Sequence, residues 1–450
     1  AELKALPPGV SNDEASDAAD AFNFSLTGRL PLYEDPTRPE PLFRLIQGTG
    51  MLLFGASIWA VRITSALVGI MTIAVTVWAV RQCLGGIPVE TRKLAGLIGA
   101  CGLAVSLGFV AISRGLYRAA LQPLLTLLFI GFLMRGLRNG KWHHAVISGL
   151  SLAAALYTYT AALALPLTIP PLALSLLLFQ RRTIRSWIRI LLLFGTPAAV
   201  ALLPLTWLLL THPQRVLARA TDVHGLGADW SQLLALYLLP GDGNPLYNVA
   251  SAPVVPPLFA VPFLVGLAAL VVRFRRPESA LIAAAVVLAS VPVLASNEIP
   301  HGLRIVGAYA VLPLVIAAGA AALLQVIAAL RHKPLPPAFY SGAWAVVGAA
   351  VLGSALSAHS IYIAYWQAPH TLRINNRDLP MAAWLFRTDQ RDFGQWVLQQ
   401  TYPLLIPTSK LSNPPTRMWL APSYPRVLTE QTNVELPPGT RLAFPRSITG

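Results

Sequence analysis

The segment SNDEASDAADAFNFSLTGRLPLYEDPTRPEPLF carries Asp13, Glu14, Asp17, Asp20, Glu34, Asp35 and Glu40, seven acids in 28 residues. Helical spacing sets positions 13, 17 and 20 on one face. A carboxylate there can take a proton from an acceptor hydroxyl or amine, provided other groups hold what leaves. The same residues also read as a solvated acidic helix start, with Asp13 as its N-cap. Cations decide between these readings, and two short segments supply them. SRGLYR brings Ser113, Arg114, Tyr117 and Arg118, and NEIPHGLR brings His301 and Arg304. Arg62 opens an apolar run in a similar place. A guanidinium offers a planar fork of donors to a phosphate, and a helix N-terminus adds its own N–H groups. Taken singly, each arginine also fits a snorkelling or capping role.

Further polar candidates follow. In LPGDGNPLYNVASAP, Asp242 and Asn244 flank a glycine. They suit either a turn or a site for sugar or acceptor hydroxyls, and spacing favours the turn. Tyr157 and Tyr159 fit an aromatic interface belt or the lining of a sugar pocket. There is no His/Cys cluster, and Asp222, Asp229 and Asp242 stand apart, so no metal ligands are assigned. No cofactor is expected.

The elements that must position these residues are membrane helices. Of 450 residues, 55% are apolar and only 12% charged, about half the usual globular share. Ten apolar runs stand near 60–80, 94–112, 119–135, 145–165, 166–180, 188–210, 256–272, 279–296, 305–330 and 343–365. Lipid offers no partner for free backbone groups, so each run must be helical. The net charge of +15 invites a nucleic-acid reading, but its distribution excludes one. Every second loop is basic; together these loops hold 15 cations with only Glu90 and Glu278, a net +13, while the rest of the chain nets +2. That is the positive-inside pattern. It puts residues 1–59, the loops near 113–118, 211–255 and 297–304, and the tail 366–450 outside the cytoplasm. The expected divisions are an outer first loop with an interfacial helix (1–59), a transmembrane domain (60–365) and a small external C-terminal region (366–450). Cys83 and Cys101 both fall in or beside spans, so no disulfide framework is expected. Because the first segment lies outside, a preceding helix or signal, or a partner that supplies one, is expected.

Acids and arginines on one side at headgroup height suit a reaction whose leaving group is a lipid phosphate. Proton-driven transport would need ionisable residues at mid-membrane, and the apolar runs hold almost none.

Several segments resemble a known family. They are Asp13-Glu14, LTGRLPLYED, PEPLFRLIQGTGMLLFGASIWAVRITSALVG, SRGLYRAALQP, LYTYTAALALP, THPQRVLARA, PGDGNPLYN and PHGLRIVGA, in that order over residues 11–330. Together they resemble the C-type-fold polytopic membrane glycosyltransferases, in the dolichyl-phosphate-mannose protein mannosyltransferase branch with ArnT-like organisation. The resemblance implies a polyprenyl-phosphate sugar donor and inverting transfer at the outer face of the plasma membrane. It implies Asp13 as general base with Glu14 beside it. It further implies Arg114, Arg118 and Arg304 on the donor phosphate with His301 adjacent, and residues 41–54 as an interfacial helix. Two features depart from the family: no first transmembrane helix precedes Asp13, and Leu163 stands where relatives often carry Arg. The alternative is a non-catalytic scaffold or accessory subunit of a larger membrane complex. Trp59, Trp78, Trp344 and the tail would then serve protein contacts.

Overall fold

The computed structural model describes residues 12–28, 40–55, 57–179, 184–217, 237–244, 246–249, 251–294, 301–332 and 335–367, with short strand segments beyond. It is a bundle of helices, here labelled in chain order. These are α1 (Asn12–Thr27), α2 (Leu42–Phe54), α3 (Ile58–Cys83), α4 (Val89–Ala104), α5 (Leu107–Arg114), α6 (Gln122–Asn139), α7 (Trp142–Leu156), α8 (Ile169–Phe179), α9 (Ile184–Thr211), α10 (Pro213–Leu217), α11 (Ala260–Val272), α12 (Pro277–Leu294), α13 (Ala308–Leu330) and α14 (Pro337–Gln367). Single 3-10 stretches lead into α6 (Arg118–Leu121), α8 (Thr160–Thr168) and α11 (Pro257–Phe259).

Among the described residues, seven helices are long and apolar enough to cross a membrane. An eighth span arises if α4 and α5, bent by 66° at residues 105–106, are taken together. The two other expected spans coincide with α7 and α11, which are shorter. The bundle is all-helical, as the sequence requires. The only described strands lie in the tail: Thr371–Ile374 pairs antiparallel with Arg377–Pro380, and Leu404–Ile406 pairs in parallel with Val427–Thr429 and Arg441–Leu442.

The centre of the bundle is α13. Every residue from Ala308 to Ala321 is buried, as expected for a helix apolar on all sides. Between membrane helices the attraction is packing rather than expulsion from water, so small residues set the approach. A Cβ on Gly319 would run into the Pro262 carbonyl, and one on Gly266 into the Val315 carbonyl. These two glycines let α11 and α13 meet backbone to backbone. Both cysteines are buried free thiols.

The bend between α4 and α5 helps place the site. Val105 N–H still bonds the Cys101 carbonyl, but Ser106 turns its hydroxyl to the Val254 carbonyl, at 3.1 Å. The chain resumes at a new angle and delivers Arg114 and then Arg118 to one end of the bundle.

Candidate active site

The site is built on α1. Its buried stripe is Glu14, Asp17, Ala18 and Ala21, spaced i, i+3, i+4, i+7. Glu14 is 1% exposed and Asp17 2% exposed, so these two acids are not on a solvated face. Of the acids expected on one face, Asp17 is on this buried seam and Asp20 lies at its edge. Small side chains cause this, because Ala18 and Ala21 let α1 lie against α2. A Cβ on Gly48 of α2 would sit 2.8 Å from the Ala21 carbonyl. Asp13 is in the first turn of α1, but its side chain lies outside the described set.

Arg118 is the hub. It opens the 3-10 stretch before α6 and is 5% exposed. Its Nη1 donates to Asp17 at 3.2 Å, and its Nε lies 3.0 Å from Oε2 of Glu40. The other oxygen of Glu40 accepts the Thr160 hydroxyl at 2.5 Å. Arg44 on α2 reaches the same cluster. Its Nη1 bonds Asp20 at 2.7 Å, and its Nη2 bonds the Glu40 carbonyl at 3.1 Å. Segments far apart in sequence therefore meet at one buried charge cluster. Burying ion pairs costs desolvation and adds little net stability, but a broken pair is severely destabilising. What the cluster secures is geometry.

The Leu116 peptide is clamped from both sides. Its N–H donates to Glu14 Oε1 at 3.0 Å, and its carbonyl accepts from Gln47 Nε2 at 3.1 Å. Gly115 makes this possible, since a Cβ there would lie 2.6 Å from the Tyr117 ring and 3.2 Å from Glu14 Oε1. The loop 113–118 is thereby fixed to α1 and α2. Arg114 extends from the end of α5 over the Tyr362 ring of α14, 4.9 Å from its centroid. Arg62, in the first turns of α3, is 1% exposed and within electrostatic reach of Glu14, Arg114 and Tyr362.

A second group adjoins the first through aromatic rings. Tyr117 meets Tyr247 edge-on at 5.3 Å, and Tyr247 stacks on His301 at 5.2 Å. Asp242 accepts the Gly302 N–H at 2.6 Å and the Asn244 N–H at 2.7 Å. Asn244 in turn accepts the Leu246 N–H at 3.1 Å. Asp242 and Asn244 thus do the work of a turn, and Asp242 also ties that turn to the His301 segment. Arg304 is half-buried one turn beyond His301 and makes no ion pair among the described residues.

The tyrosines behave differently from the rest. The Tyr157 hydroxyl donates to the Ala201 carbonyl at 2.9 Å and accepts the Leu205 N–H at 3.3 Å. It is inserted into the α9 ladder beside Pro204, where the helix already lacks one donor. Tyr159 is 6% exposed, within the main apolar core. Sequence reasoning left Glu40, Arg44, Gln47, Gly115, Thr160 and Tyr362 out of the site. Their partners lie far away in the chain, and no spacing rule reports them. Asp222 and Asp229 lie outside the described residues.

The chain is therefore a multi-pass membrane protein with a buried carboxylate–arginine cluster at one end of its bundle. It has the C-type fold of the polytopic membrane glycosyltransferases. Residues 36–209 match the family profile described as dolichyl-phosphate-mannose-protein mannosyltransferase. Among solved structures, ArnT from Cupriavidus metallidurans bound to undecaprenyl phosphate superposes with a TM-score of 0.57 at 15% identity, covering 96% of this chain and 83% of that one. Its apo form gives 0.55 at 16% identity, covering 91% and 79%. The oligosaccharyltransferase of Archaeoglobus fulgidus in its apo form gives 0.57 at 13% identity, covering 95% of this chain and 62% of that one. No curated protein sequence matches the chain.

Proposed function

We propose that the chain is a glycosyltransferase that moves a sugar from a polyprenyl-phosphate carrier to an acceptor at the outer face of the plasma membrane. The observation that carries this reading is the convergence on Arg118 of carboxylates from α1 and from the start of α2. It fixes the acidic first helix beside the loop that bears both Arg114 and Arg118. Asp13, next to Glu14 on α1, takes the acceptor's proton. Arg114, Arg118 and Arg304, with His301, meet the charge that builds on the departing phosphate. The fold match to a transferase crystallised with undecaprenyl phosphate supports the choice of carrier. Asp242 and Asn244 shape the loop above the phosphate.

A second reading, the scaffold subunit, draws on the same cluster. Arg118 is already held by two carboxylates, an arrangement that a purely structural role also explains. Turnover of the purified chain with polyprenyl-phosphate sugars separates the two. Asp13→Asn keeps the shape and removes the base. Turnover is expected to fall ~10²–10⁴-fold with donor binding unchanged. Full activity in Asp13→Asn would exclude Asp13 as base, and a chain inert toward every carrier sugar offered would favour the scaffold.

A further inference from the structure

A groove of about 500 Å³ runs between α8 and α12. One wall is Leu174 and Leu178 of α8; the other is Ala280, Ala283, Ala284 and Val287 of α12. The alanines recur on one face of α12 and hold that wall back from the rim. The groove reaches from Leu167 to Phe179. Those twelve steps at 1.5 Å each span ~18 Å, close to half of a ~30 Å hydrocarbon layer. A transmembrane helix of a partner would need the full depth. A single acyl chain of one leaflet needs only this much.

The mouth of the groove is cationic. Phe179 and Phe274 meet edge-on at 5.9 Å, and the Arg275 guanidinium lies 5.7 and 5.9 Å from their ring centres. The Arg275 carbonyl accepts the Ser175 hydroxyl at 3.2 Å, which fastens this loop to α8. Arg275 itself is exposed. Of its neighbours, Arg273 donates to Gln325 at 2.7 Å, and Arg276 and Glu278 line a separate pocket beside Cys83. The sequence past Phe179 continues as Gln180, Arg181 and Arg182. This end of the bundle carries the basic loops.

We infer that the groove between α8 and α12 binds an anionic phospholipid from the leaflet on the side of the basic loops, with one acyl chain along the alanine wall and the phosphate on Arg275. Depth selects a leaflet lipid, and the charge at the mouth selects an anionic headgroup. The site lies at the end opposite the carboxylate–arginine cluster, so this inference is independent of the proposed transfer reaction.

The test is native mass spectrometry of the purified full chain titrated with dioleoylphosphatidylglycerol or dioleoylphosphatidylcholine. The wild type should retain phosphatidylglycerol about fivefold better, the preference one cation near a headgroup typically confers. R275Q should bring the ratio close to one, while R275K keeps most of it. A284L, or A280L should A284L fail to fold, should fill the groove and lower retention of both lipids. Equal retention by the wild type would overturn the inference, as would a phosphatidylglycerol preference that survives R275Q or binding that ignores the leucine. Displacement of phosphatidylglycerol by undecaprenyl phosphate through Arg275 would assign the groove to the carrier lipid instead.

Discussion

Replacing Arg118 with Met separates architecture from chemistry at the centre of the site. The guanidinium is 5% exposed and holds two carboxylates, Asp17 at 3.2 Å and Glu40 at 3.0 Å, that are 2% and 3% exposed. Removing it strands two buried charges, and breaking a buried pair typically costs ~3–5 kcal/mol. Thermal unfolding in detergent should register a loss of that order. Donor binding should vanish as well, which by itself proves nothing about phosphate contact. The informative variant is the triple substitution Arg118→Met, Asp17→Asn, Glu40→Gln. It removes both carboxylates together with the guanidinium they hold, and replacing a whole buried ion pair by neutral groups is often close to neutral for stability. Most of the lost stability should therefore return. If Arg118 contacts the carrier phosphate, donor affinity should stay at least tenfold down in the triple variant. Affinity that returns together with stability would refute the phosphate role and leave Arg118 as a pillar of the first loop.

Two other outcomes follow from the geometry. Tyr157→Phe removes a hydroxyl that bridges Ala201 and Leu205 on α9; it should cost ~1–3 kcal/mol in thermal unfolding while the KM for donor stays unchanged, and a raised KM with wild-type stability would return Tyr157 to the sugar pocket. Impermeant labelling in intact cells should modify single cysteines placed at Ser11 and Ser423 but not one at Ser186; labelling at Ser186 would invert the orientation read from the basic loops.

The bundle was legible because lipid leaves the chain few choices. A run near twenty apolar residues must be a helix, and the alternation of basic loops orders the runs. The lengths were less legible. The expected span 94–112 is bent by 66° at Val105–Ser106, and nothing in VSL announces that Ser106 prefers the carbonyl of Val254. The site was visible by residue type and hidden by partnership. Asp17 and Arg118 stood out as an acid and a cation on one side, yet they are 101 residues apart. Thr160 and Glu40 are 120 apart. Glu40 sits in a Pro-rich loop whose acids look solvated, and only the fold turns it inward. The Asp242 turn was readable from its glycines, because such turns are local. Its grip on Gly302, 60 residues away, was not. The α1 seam through Glu14, Asp17, Ala18 and Ala21 has the same origin. Acid spacing pointed to Asp17, but Ala18 and Ala21, too small to advertise a contact, are what lie against α2.

The charge balance at this end of the bundle bears on which cation meets a ligand. Arg44, Arg62, Arg114 and Arg118 are drawn into one neighbourhood with Glu14, Asp17, Asp20 and Glu40, so among the described residues four cations face four anions there. Guanidinium groups crowded at the edge of a low-dielectric slab repel one another unless carboxylates lie between them. That arrangement ties α1 and the start of α2 to the loop 113–118, and its described charges balance. Arg304 stands outside this balance. It is half-buried, without an ion pair among the described residues, and its segment is tied by Asp242 and Tyr247 to the loop that carries Arg118. In the proposed reaction Arg114 and Arg118 meet the phosphate from within this frame, and the His301–Arg304 segment adds a cation that the frame's described acids do not pair.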